Sequence, residues 1–195
     1  MPSSPTELIA RHDPAAWSRA IRQRPLAALP FDAATVVARD AVMLDTVAYI
    51  DAMKAPGLPR PIAQIVAQNT ILHSAIAAAE LAVSIGHLDP RDARTANTRK
   101  PLDDALARMR SDKIVVPSSD AWIEAAVIAG ICARTQGYAK LDRRKLLHDA
   151  LVLLSAIEAD AVLISRNIRD IDLLLNFRPD ARVLLYARES RAGPT

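Results

Sequence analysis

The chain has 195 residues, 51% of them apolar and only 4% aromatic, with a formal charge of +3. That length holds one sizeable core with a small appendage, and the composition excludes a disordered or fibrous chain. A mild basic excess permits an anionic partner, although the basic runs "RKPLDDALARMR" and "LDRRKLLHD" are more simply read as solvated helix faces. The single cysteine, Cys132, lies among apolar neighbours and is expected to be a buried small hydrophobe, which excludes a disulfide framework or a cysteine zinc site. No segment has the length and apolarity of a membrane span, and the first residues lack the basic start and apolar run of a signal peptide, so a cytoplasmic location is expected.

Residues 1–40 are rich in Pro and Arg and carry two helix-start signals, Ser4 with Pro5 and Glu7, and Asp13 with Pro14. They predict an extension of short helices, packed on the main domain or forming a partly mobile arm. "AVML" (41–44) predicts a first strand and "TVAYIDAMK" the helix after it. Pro59 and Pro61 open a helix "PIAQIVAQ", "TILHS" is a second strand, and "AIAAAELAVSIGHL" is strongly helical in composition. The polar segment "RDARTANTRKPLDDALARMRS" predicts a helix broken or restarted at Pro101. "KIVVP" is a third strand, Ser118 or Ser119 caps the helix "DAWIEAAVIAGICARTQG", and "DRRKLLHDALVLLSAIEAD" is another helix. "AVLIS" and "ARVLLYA" are the fourth and fifth strands, and residues 188–195 are expected to form a flexible tail. Short, nearly continuous apolar strands alternating with helices predict an α/β fold of three layers, α/β/α, around a central parallel sheet. Sites in such folds form beyond the carboxyl ends of the strands.

Several acids stand where apolar residues would be expected. Asp45 ends the first strand, where an unpaired charge is costly. Glu80 has Ile76, Ala77, Val83 and Ser84 as its helical neighbours, so it projects from a largely apolar stripe; the plain alternative is a boundary glutamate reaching water. Asp149 lies among Lys145, Leu146, Val152 and Leu153, where an ordinary surface ion pair with Lys145 is the alternative. Asp170, in "LISRNIRDID", follows the fourth strand and would alone pass for a capping acid; Asp160 and Asp172 nearby have more ordinary explanations still. Together the four lie at or just after strand ends, or on helices packed beside them. A right-handed parallel fold can bring them to one edge. Four carboxylates in one pocket stay ionised only with bound cations, or share protons, and hard oxygen donors favour Mg²⁺ or Mn²⁺ over zinc.

The ordered set Asp45-Thr46, Glu80 after "HSAIAAAEL", Asp149 in "HDALVLLSA" and Asp170 in "LISRNIRDID" resembles the PIN-domain ribonucleases, and among them the VapC-type toxins of bacterial toxin–antitoxin pairs. The resemblance spans residues 41–187 and leaves residues 1–40 unexplained. It implies metal-dependent cleavage of RNA by the acidic cluster Asp45, Glu80, Asp149 and Asp170. Within that cluster, Asp45, Asp149 and Asp170 are the expected ligands of Mg²⁺ or Mn²⁺. Thr46, Ser165 and Asn167 match the polar residues that support the acids, and Ser74 matches a serine before the helix carrying the glutamate. Val47 and Ile171 depart from the pattern, where Asn or Ser and an aromatic are usual.

Arg143, Arg144, Lys145, Arg166 and Arg169 lie near the acids in sequence and are candidate contacts for RNA phosphates. Few aromatics are available to stack on unpaired bases. The resemblance further implies an antitoxin partner, with the helix "PIAQIVAQ" a candidate docking groove, and a homodimer. A non-catalytic PIN-like module that binds RNA or protein is the alternative. A phosphatase of the haloacid dehalogenase type wants a second Asp where Val47 stands, and a nucleotide-binding fold wants a glycine-rich loop that the chain lacks.

Overall fold

The computed structural model describes residues 4–187, so the expected tail, 188–195, lies outside the described residues. Helix α1 (Pro5–Arg11) opens with a reciprocal cap in which Ser4 Oγ accepts from the Glu7 amide and Glu7 Oε2 accepts from the Ser4 amide. Three single 3₁₀ turns follow, at Pro14–Ala16, Leu26–Ala28 and Ala33–Thr35. Then come β1 (Ala41–Leu44), α2 (Thr46–Met53), α3 (Arg60–Gln68), β2 (Thr70–Ser74), α4 (Ala75–Gly86) and α5 (Thr95–Ala107). The second half comprises β3 (Ile114–Val115), α6 (Ser119–Gln136), α7 (Lys140–Glu158), β4 (Ala161–Ser165), α8 (Ile168–Leu174) and β5 (Val183–Leu185).

The five strands form one all-parallel sheet in the order β3-β2-β1-β4-β5, with Ala41 in register with both Thr70 and Ala161. Strand alternation divides the core in two. Val42, Leu44, Val162, Ile164 and Leu184 face α2, α3, α4 and α5. Met43, Leu163 and Leu185 face α6, α7 and α8 on the other side. Every residue of β4 is buried, as a central strand covered on both faces must be. The predicted three layers are therefore present.

Details differ from the expectations for identifiable reasons. Helix α5 runs unbroken through Pro101. The carbonyl that the proline leaves unpaired lies on an exposed stretch open to water, and the pairs Arg99–Asp103 and Lys100–Asp104 span the position. The same helix begins at Thr95 rather than Arg91, because Asp89 and Asp92 accept bonds from the amides of Arg91 and Arg94 and hold that stretch in turns. Strand β3 keeps two residues of the expected five. Helix α6 is capped by Ser118, whose hydroxyl accepts from the Ala121 amide, and ends at Gly137 in the left-handed region (φ 66°).

Residues before β1 are packed onto the domain. Leu8 is fully buried, and His12 Nε2 lies 2.7 Å from the buried Glu124 on α6, which Arg11 and Arg178 also reach. Burial pushes the Glu124 carboxyl up, but His12 and the two guanidinium groups outweigh it and hold it below its ordinary value. Arg24 gives both its amide and its Nε to Asp172, at 2.9 and 2.6 Å, and Trp17 stacks on Phe177. Asp172 is therefore an anchor for this segment. The stripe of α3 is core as well, since Ile62 and Ile65 are buried beneath it and offer no open docking groove.

Candidate functional site

The carboxyl ends of β1 and β4 and the flanks of α4 and α7 meet at one cavity. Asp45 occupies the N-cap position of α2 without the usual capping bond into that helix, although the amide of Thr46 beside it favours the charged form. Instead Asp45 Oδ2 accepts the hydroxyl of Ser165, the last residue of β4, at 2.5 Å. The pairing of β1 with β4 brings together these groups, 120 positions apart. Ser165 also accepts the Asn167 amide, and Asn167 Nδ2 donates to Asp149 Oδ2 at 2.9 Å. Glu80 reaches in from α4. Its Oε2 accepts the Thr46 hydroxyl at 2.5 Å and its Oε1 lies 2.8 Å from His148 Nδ1. Ser74 caps α4 by accepting the Ile76 amide, which fixes the helix that carries Glu80.

Asp45, Glu80 and Asp149 thus line one cavity of about 410 Å³, together with Thr46, Val47, Ile50, Lys145, Arg166 and Asn167. Asp170 is buried just beside it. It accepts the Tyr138 hydroxyl at 2.7 Å, has Lys145 Nζ at 3.5 Å, and opens into a second cavity of about 480 Å³. Lys145 and Asn167 line both cavities. The plain alternative for Asp149, an ion pair with Lys145, is not the arrangement seen, because that ammonium pairs with Asp170.

The carboxylates sense one another. Burial pushes Asp45 above its ordinary value against the pull of Ser165, and the charge of Glu80 adds to the rise. Asp149 is also pushed well above its ordinary value, by burial first and then by the charges of Asp45 and Asp170, with Lys145 opposing. Protons or cations are needed to hold so much charge together. Among the described residues, no three His, Cys, Asp or Glu side chains are already placed to hold a metal ion. The chemistry of the donor set nevertheless fits a hard divalent cation. Asp45 and Asp149 are hard oxygen donors facing the same cavity, each steadied by a side-chain bond, from Ser165 and from Asn167.

The basic residues separate. Lys145 faces the acids. Arg166 lines the same cavity, but its guanidinium is committed to the buried Asp51 at 2.6 Å, which Tyr186 also reaches at 2.9 Å. Arg143 donates to the Tyr138 carbonyl and lines a groove between α6 and α7, away from the acids. Arg144 is exposed, and Arg169 lies over the Tyr138 ring at 5.2 Å. Sequence reasoning missed His148, Tyr138 and Asp51. The residue before Asp149 gave the only hint of His148, and no sequence signal identified the other two.

The fold is PIN-like. No family model and no curated protein matches the sequence. Solved toxin–antitoxin complexes share the architecture. One is FitAB bound to an IR36 DNA fragment, with a TM-score of 0.54 and 15% identity over 77% of this chain and 99% of the matched one. FitAcB from Neisseria gonorrhoeae gives a TM-score of 0.51 at 16% identity, over 73% and 96% of the two chains. VapBC-1 from nontypeable Haemophilus influenzae gives 0.51 at 20% identity, over 74% and 97%.

Proposed function

We propose that the chain is a metal-dependent endoribonuclease and the toxin of a toxin–antitoxin pair. The observation that carries the proposal is the convergence of Asp45, Glu80 and Asp149 in one cavity at the carboxyl end of the sheet, with Asp170 beside it. The likeness to FitAB and VapBC-1 supports the toxin role through the fold.

Asp45 and Asp149 would hold Mg²⁺ or Mn²⁺, with Asp170 completing the set. When bound, that cation supplies charge neutralisation and activation of water for attack on a phosphodiester. The protein side of the chemistry is positional. Ser165 and Asn167 would fix the ligating carboxylates through the bonds described above. Glu80, held by Thr46 and His148, would accept a proton from the attacking water. Lys145 provides a cation at the junction of the two cavities, where a substrate phosphate would pass. A cognate antitoxin and a homodimer belong to the same proposal.

The test is Asp45→Asn. The variant should keep its circular dichroism spectrum and lose Mn²⁺-dependent cleavage of single-stranded RNA by at least a hundredfold. Equal cleavage by variant and parent would overturn the assignment. A parent that binds RNA but cuts none with either metal would favour the non-catalytic module.

A further inference from the structure

The second cavity has a wall that the acidic chemistry does not use. Tyr138 follows the end of α6 and is half-buried, its hydroxyl held by Asp170 Oδ1 at 2.7 Å. The Arg169 guanidinium lies over the ring, with Cζ 5.2 Å from the centroid, and makes no ion pair among the described residues. Of the other aromatics, Trp17 and Phe177 stack on each other, Tyr49 and Tyr186 are buried, Phe31 packs against the core, and Trp122 is exposed near the start of α6 and lines neither cavity. Tyr138 is the aromatic that faces a cavity next to the acids. A planar guanidinium on a phenol ring presents a flat, positively charged π surface. At about 480 Å³ the space falls within the roughly 300–1,000 Å³ of typical ligand pockets. Lys145 and Asn167 form its shared border with the acidic cavity, so a strand passing from one to the other meets an ammonium and an amide.

We propose that this second cavity is a subsite for the nucleotide adjoining the scissile phosphate of single-stranded RNA, with its base on the Tyr138–Arg169 pair and its phosphate against Lys145. The inference rests on the nuclease reading and assigns where the flanking nucleotide sits. Stacking on an aromatic–guanidinium surface tolerates any base, so it positions the strand without selecting a sequence.

The experiment uses the full chain in EDTA and a fluorescein-labelled single-stranded 12-mer RNA, read by anisotropy. A second series of the same RNA carries one abasic position at each site in turn. Arg169→Ala, which alters an exposed side chain and so spares the fold, should weaken binding about tenfold, as should Tyr138→Leu. Tyr138→Phe keeps the ring and should bind within about twofold of the parent. In the parent, one abasic position should weaken binding, and Arg169→Ala should lose that sensitivity. If folded Arg169→Ala and Tyr138→Leu both bind the RNA like the parent, the subsite is wrong even where Mn²⁺-dependent cleavage persists. If the parent neither binds nor cuts RNA, the nuclease reading falls and the subsite with it.

Discussion

A charge on Asp149 is one that the fold does not favour. Burial and the charges of Asp45 and Asp170 raise its carboxyl well above the ordinary value, so the folded chain binds a proton there more tightly than the unfolded chain does. The sign follows directly. Without metal, the group costs nothing at pH below its unfolded value near 4, and stability falls as pH climbs through the raised folded value. Asp149→Asn removes that slope while its Oδ1 can still accept from Asn167. We expect the variant to match the parent's metal-free melting temperature near pH 4 and to exceed it at pH 8 by several degrees, at roughly 2–4 °C per kcal/mol. It should also lose cleavage. A scanning-calorimetry series across pH checks the first expectation, and a melting temperature for Asp149→Asn below the parent's at pH 8 would contradict it. The same residues show how far side-chain roles could be read in advance. Acids on apolar stripes stood out because their local neighbours were wrong for them. Arg166 did not, because Asp51, its partner, lies 115 positions away. Tyr138 and Asp170 are 32 apart and His148 and Glu80 are 68 apart, so no local pattern links them.

At the level of elements, the segment before β1 is held by discrete clamps rather than by a broad apolar face. Arg24 is the clearest of these, since Asp172 is fully buried and takes both an amide and a guanidinium bond from it. Truncation to Ala leaves the carboxylate with the amide alone. A cost of about 1–3 kcal/mol is expected, in line with an under-satisfied buried acceptor and discounted because the Arg24 side chain is over a third exposed. Hydrogen exchange should then show faster exchange at Arg24 and its neighbours, with α7 and β4 unchanged; equal protection in parent and variant would remove the clamp. Strands β1 and β4 were legible as nearly continuous apolar runs, β2 as a short strand around Ile71 and Leu72, and α6 through its serine cap and terminal glycine. The unbroken α5 was not, because a proline's effect depends on whether water can reach the freed carbonyl, and that is a tertiary fact. The short β3 was over-read for a related reason, since only His73 and Ser74 pair with it.

Across the whole molecule, a parallel sheet places its chemistry at one end, and the strand order puts β1 at the centre with β2 and β4 on either side. Asp45 and Ser165 follow directly from that neighbour relation, while Glu80 and Asp149 arrive on helices that the crossovers lay against it. No helix among the described residues is long and apolar enough to cross a membrane. The sheet also has two outer borders. One ends in the two-residue β3, too brief to recruit a foreign strand. At the other, the Leu185 amide of β5 donates to the Pro30 carbonyl at 2.7 Å. A proline there works as a stopper, since it satisfies the border but has no N–H with which to extend the ladder outward. A chain begun at residue 41 would leave that border bare and apolar, and light scattering should find it clumping at concentrations where the intact chain stays dispersed.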